Sequence, residues 1–207
     1  MTGNEAAFRH LLERVAANDL PAVRDALTET PAFATAALRT GATRATAAAH
    51  FLADIRHYLY TGDTALHVAA AGHRPELARL LIGLGAEHGA RNRRGAVPLH
   101  HAADGRPGVP GWDPAAQAET IFILIAAGAD PDAAGRDGVA PLHRAVRTRS
   151  AAAVRALLEG GANPRLTNGS GSTPLFLAQR PTGRSGSGSA EAKAEQADII
   201  ALLERAA

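Results

Sequence analysis

Apolar residues return every three or four positions from Glu5 to Ala17, where Phe8, Leu11, Leu12 and Val15 share one face. That spacing predicts an amphipathic helix. Asn18-Asp19 breaks the pattern, and Asp19 is the expected N-cap of a second helix. Pro21 stands in its first turn, Val23, Ala26 and Leu27 point inward, and it stops before Pro31. Further along, Leu66, Ala69 and Ala70 mark one more helix. Leu77, Leu80, Leu81 and Leu84 mark another, which opens at Pro75-Glu76 and stops at Gly85. Asp113-Pro114 reads as the cap and first residue of a helix carrying Ile121, Phe122, Leu124 and Ile125. Ile199, Ile200, Leu202 and Leu203 fall in a last helix, about Ala190 to Arg205, backed by Glu191, Lys193, Glu195 and Gln196.

A second pattern is laid over the first. Thr64-Ala65-Leu66-His67 returns as Val97-Pro98-Leu99-His100, Ala140-Pro141-Leu142-His143 and Thr173-Pro174-Leu175-Phe176, so fourth positions lie 33, 43 and 33 residues apart. A fixed interval of this size marks a repeat array. Gly85-Ala86-Glu87, Gly128-Ala129-Asp130 and Gly161-Ala162-Asn163 travel with it, 18 residues after the histidine in the first and third copies and 28 after it in the second. The second copy therefore carries ten extra residues between its two markers.

These residues resemble the ankyrin repeat, whose unit starts at Thr-Pro-Leu-His, pairs two helices, ends in Gly-Ala and extends a finger into the next unit. The chain looks like a bacterial-type ankyrin-repeat protein with insertions between the helices of two repeats. The resemblance implies an all-α solenoid of stacked helix-turn-helix units with short finger loops. Its units would be residues 1–31 (an N-terminal capping pair), 32–60 (an insertion), 61–92, 93–135, 136–168 and 169–207. It also implies that His67, His100 and His143 are structural, and that the chain is a non-enzymatic scaffold for a partner protein. In the family's layout the concave groove would be formed by His101, Asp104, Arg144, Arg147 and Thr148, with Arg93, Arg94, Arg136 and Asp137 on the fingers. That surface is mostly positive, which suits an acidic segment held by guanidinium groups. The alternative is that arginines near a helix C-terminus only satisfy carbonyls and the dipole.

Composition changes the picture little. Against 22 basic residues stand 20 acidic ones, so no polybasic tract argues for nucleic acid. The absence of cysteine removes disulfides, thiolate nucleophiles and thiolate zinc sites. No apolar run is long enough to span a membrane, and Met1 to Phe8 has no signal-like pattern. A cytoplasmic, cofactor-free monomer is the expectation, with a homo-oligomeric structural unit as the alternative.

The stretches that break the repeat carry the remaining candidates. Within 32–60, Phe51, Leu52, Ile55, Tyr58 and Leu59 are spaced as one stripe, which predicts a helix from about Thr43 to Tyr58. On such a helix His50, Asp54 and His57 would share a face, either solvated or able to converge on a metal ion. The loop Asp104 to Pro114 holds the sole tryptophan, Trp112, which either anchors a partner or pins its own loop. His100, His101, Asp104 and Asp113 around it are the candidates for a small hydrolase or metal site. A second loop, Pro181 to Ser189, reads as a flexible connector; its lack of a Gly-Lys-Ser/Thr ending speaks against a phosphate loop. Val97 and Ala140 replace the capping threonine, so those two helix starts need another partner for their N–H groups.

Overall fold

The computed structural model describes residues 3–180 and 190–206. The expected loop over 181–189 lies outside the described residues. Helices come in pairs: α1 (Gly3–Ala16) with α2 (Leu20–Glu29), α3 (Ala65–Ala71) with α4 (Pro75–Gly83), and α5 (Pro98–Ala102) with α6 (Pro114–Ala126). Next come α7 (Pro141–Arg147) with α8 (Ala151–Glu159) and α9 (Pro174–Gln179) with α10 (Ala190–Ala206). The first helices form one row, α1 against α3, α5, α7 and α9 in succession, and α4, α6, α8 and α10 form the other. Between the rows Leu66, Leu77, Leu81, Leu99, Ile121, Leu124, Leu142 and Leu157 are fully buried in one continuous core. Each thin layer can close only against its neighbours, as in any solenoid.

Both sequence markers have a structural cause. The Gly-Ala pair ends the second helix of the three central units, α4, α6 and α8. Gly85, Gly128 and Gly161 take φ of 88°, 101° and 90°, and the alanine N–H that follows returns to the carbonyl of Leu81, Leu124 or Leu157 at 2.9, 3.0 and 2.9 Å. This left-handed stop satisfies carbonyls that a helix end leaves free, and glycine adopts it without a Cβ penalty. The tetrapeptide histidine caps the first helix. His67 Nδ1 accepts the Thr64 N–H at 3.1 Å, and His100 and His143 do the same for Val97 and Ala140 at 3.2 Å each. This half of the cap is the same in all three copies; what Val97 and Ala140 lack is the hydroxyl that in Thr64 also accepts the His67 N–H, at 3.3 Å. Because Nδ1 accepts, the ring proton sits on Nε2 and donates to the next repeat: to the carbonyls of Ala96 (3.1 Å), Val139 (2.9 Å) and Ser172 (3.1 Å). Burial holds all three imidazoles below their ordinary pKa, His100 at about 4, so they remain neutral in these bonds.

The 32–60 insertion corrects the expected helix over Thr43 to Tyr58. The chain instead makes short 3-10 turns at Pro31–Ala34 and Ala48–His50. It then forms a small antiparallel hairpin of β1 (Phe51–Leu52) and β2 (His57–Tyr58), with Arg56 at φ 49° in its turn. Two local causes oppose a helix. Thr43 and Thr46 bond each other's backbone N–H through their hydroxyls, at 3.0 and 3.2 Å, which offers the chain a turn in place of helical bonding. Phe51 pairs with Tyr58 and Leu52 with His57 across the strands, with the Phe51 and Tyr58 rings 4.8 Å apart on the outside and Leu52, Ile55 and Leu59 buried beneath. His50, Asp54 and His57 therefore share no helix face. His50 Nδ1 instead lies 3.1 Å from the Arg9 guanidinium. The insertion is tied in by Ala42 N–H to the Leu59 carbonyl (2.7 Å), by Leu38 N–H to Asp63 (2.8 Å) and by Glu5 of α1, which accepts the Arg39 and Thr40 N–H groups at 3.0 and 3.1 Å. Ile55 lies against Gly72 at the end of α3, where an added Cβ would come within 2.9 Å of Ile55 Cγ2.

Candidate functional site: a basic recess in the concave face

Folding the insertion back over the first finger walls off one end of the groove. The result is a recess of about 470 Å³. Arg56, His57, Tyr58 and Tyr60 supply the wall from the insertion, Arg94 and Ala96 the first finger, and His100, His101 and Asp104 the floor at α5. Arg136 and Asp137 of the second finger, with Arg144, Arg147 and Thr148 of α7, complete it.

The fingers that carry these side chains are tight turns stitched to one another. Asn92 Oδ1 accepts the N–H groups of Arg94 (2.9 Å) and Ala96 (3.1 Å), and Gly95 completes the turn at φ 70°. Arg93 N–H bonds the Thr61 carbonyl at 2.8 Å, and Arg136 N–H bonds that of Arg94 at 3.3 Å. Successive fingers are thereby held in fixed positions, and so are the arginines they carry.

Charge in the recess is one-sided. The Arg144 guanidinium grips Asp104 with both arms, Nε to Oδ1 at 2.9 Å and Nη2 to Oδ2, so one carboxylate is already neutralised. Arg94 lies 5.0 Å over the Tyr60 ring and donates to its hydroxyl at 2.9 Å, an arrangement that fixes a guanidinium without neutralising it. Arg56 and Arg147 form no ion pair among the described residues. The remaining acid is Asp137, held at φ 60° on the finger tip.

Of the residues expected to bind a partner, Arg94, His101, Asp104, Arg136, Asp137, Arg144 and Arg147 line this one recess. Arg93 stands beside it, with its guanidinium on the Ala42 carbonyl and 5.4 Å over the Tyr60 ring. Trp112 lies elsewhere. Its indole N–H donates to Gln117 Oε1 at 3.2 Å, and the fully buried Gln117 also donates to the Ala102 carbonyl (2.8 Å) and accepts from Ser150 Oγ (2.7 Å). The tryptophan thus secures its loop to α6, and through Gln117 to α5 and α8. Asp113 caps α6, accepting the Ala115 and Ala116 N–H groups at 2.8 and 3.2 Å, and does not line the recess.

Sequence reasoning singled out His57 but not its place in the recess, and it missed Arg56, Tyr58, Tyr60 and the buried Asp63 behind them. The available signal for Asp63 was positional, since it directly precedes the cap residue Thr64.

Residues 61–93 match the family model for the ankyrin repeat, and residues 124–178 match that for ankyrin repeats in many copies. A comparison with curated proteins found no match. No described helix is long and apolar enough to cross a membrane. Ankyrin repeats generally mediate protein–protein interaction and are typically non-enzymatic. With helix pairs, left-handed glycine stops and histidine ties recurring along the described chain, these matches identify it as an ankyrin-repeat protein.

Proposed function

We propose that this protein is a non-enzymatic scaffold whose concave recess receives an acidic segment of a partner protein. The observation that carries the reading is the excess of arginine on one concave surface. Arg56, Arg94, Arg136, Arg144 and Arg147 line it against Asp104 and Asp137, and Asp104 is already paired. Concave walls of one sign raise the local concentration of the opposite charge, and guanidinium groups hold carboxylates in a bidentate manner. Tyr58 and Tyr60 on the insertion wall add apolar surface beside the charge, the composition typical of interface anchors.

The test is fluorescence anisotropy with a labelled glutamate- and aspartate-rich peptide and its lysine counterpart of equal length. Saturable binding of the acidic peptide alone, weakened by added salt, supports the reading. Equal binding of both peptides, or of neither, overturns it.

A further inference from the structure

We propose that Asp63, His57 and His101 form a binding site for a divalent transition-metal ion, with Zn²⁺ the best matched, at the base of the recess. The inference concerns this cluster alone and stands whatever enters the recess above it.

Asp63 lies immediately before the Thr64 cap of α3, and its side chain is 0% exposed. Its carboxylate accepts the Tyr60 N–H at 2.7 Å and Asn92 Nδ2 at 2.8 Å, both neutral donors. Neither arginine nor lysine reaches it at ion-pair distance among the described residues. An ionised carboxylate out of water is costly without a positive partner.

What faces this anion is imidazole. His57 Nε2 stands 3.6 Å from Asp63 Oδ2, too far for a hydrogen bond, and is buried with no hydrogen-bond partner among the described residues. One ligand atom each from Asp63, His67 and His101 lie within 4.8 Å of one another, all three residues buried. The His101 ring meets that of His57 edge-on at 4.7 Å and that of His67 at 5.6 Å. His67 is spoken for, because its two nitrogens serve Thr64 and the Ala96 carbonyl, so it acts as the wall of the cluster. His101 has only a long contact, 3.3 Å, to Asn92 Nδ2. That leaves two imidazoles without strong competing bonds, facing a carboxylate whose two oxygens each accept one hydrogen bond from a neutral donor.

Two imidazole nitrogens with a carboxylate oxygen suit a borderline cation, and three protein ligands leave a fourth position open. Metal–ligand bonds of about 2.0–2.2 Å set tetrahedral ligands roughly 3.3 Å apart; His57 Nε2 stands 3.6 Å from Asp63 Oδ2, and a His101 nitrogen lies within 4.8 Å of the same carboxylate group. His57 and His101 also line the recess, so the open position faces it. The competing arrangement is metal-free, with His57 and Asp63 in direct contact.

The experiment is titration of chelator-treated, dialysed protein with Co²⁺, read by visible absorption, followed by displacement with Zn²⁺. One equivalent of Co²⁺ should give the intense d–d band of a tetrahedral site, and Zn²⁺ should abolish it. Affinity should fall at least tenfold in Asp63→Asn, His57→Gln and His101→Gln and stay unchanged in His10→Gln, an exposed histidine outside the cluster. Far-UV circular dichroism establishes that each variant is folded. If Asp63→Asn does not fold, His57→Gln decides, since His57 sits on the hairpin outside the helix stack. No band, or equal affinity in the folded His57→Gln variant, overturns the proposal in favour of the metal-free contact.

Discussion

His143 Nε2 lies 3.1 Å from the carbonyl of Ser172, the residue directly before the next tetrapeptide. The same ring accepts the Ala140 N–H at 3.2 Å through Nδ1, so one imidazole caps its own helix and ties two repeats together. Phe176 stands at this position in the fourth copy and can do neither. It is exposed, and Arg180 lies 4.7 Å over its ring. Its helix start relies instead on Thr173 Oγ1, which accepts the Phe176 N–H at 3.2 Å.

His143→Ala should therefore cost more than loss of a single hydrogen bond. It leaves one backbone donor and one acceptor without partners at a repeat junction, at about 1–3 kcal/mol for each group that stays buried. Urea unfolding should show a destabilisation of about 2–4 kcal/mol. Thr173→Ala, which removes only a side-chain cap, should cost about 1 kcal/mol.

Gln117 holds three partners at once, the Ala102 carbonyl, Ser150 Oγ and the Trp112 indole. Gln117→Ala should lower stability by about 2–3 kcal/mol, because it strands buried polar groups on α5 and α8. As Trp112 is the sole tryptophan, its emission should shift to longer wavelength in the folded variant. An unshifted spectrum would mean the loop is held by something else.

His73 gives the stability a pH dependence. It is buried after α3 with φ 52°, and its Nε2 has no hydrogen-bond partner among the described residues. Burial first, and then the positive charges of Arg106 and Arg74, lower its pKa to about 4. The unfolded chain takes up this proton near pH 6.5, whereas the folded chain resists it until about pH 4. This contribution is fully present above pH 6.5 and is lost as pH falls towards 4, at up to roughly 1.4 kcal/mol per pH unit. Unfolding midpoints measured between pH 7 and 4 should fall less steeply in His73→Asn, which also tolerates the left-handed backbone.

The sequence made the stack legible because its markers are tied to backbone geometry. Gly85 had to be the left-handed stop, and Asp19, Thr64 and Asp113 had to cap, since the bonds involved span only a few residues. The insertion was not legible. The spacing of Phe51, Leu52, Ile55 and Leu59 fits a helix as well as a hairpin, and the choice turned on the Thr43–Thr46 turn and on the surface that Gly72 leaves open to Ile55. The recess was half readable for the same reason: the repeats placed Arg94, Asp104, Arg136, Arg144 and Arg147, but Arg56 and Tyr58 arrive only when the insertion folds back. Asp63 and His101 are 38 residues apart and meet only through stacking of adjacent units.

Charge reversal inside the recess bears most directly on an acidic partner segment. Arg56→Glu with Arg147→Glu changes two guanidinium groups that form no ion pair among the described residues, so the fold should be unperturbed by circular dichroism. The dissociation constant of a labelled glutamate- and aspartate-rich peptide should rise at least tenfold in this variant, with a shallower dependence on salt. An unchanged dissociation constant in the folded variant would contradict binding of acidic segments in the recess.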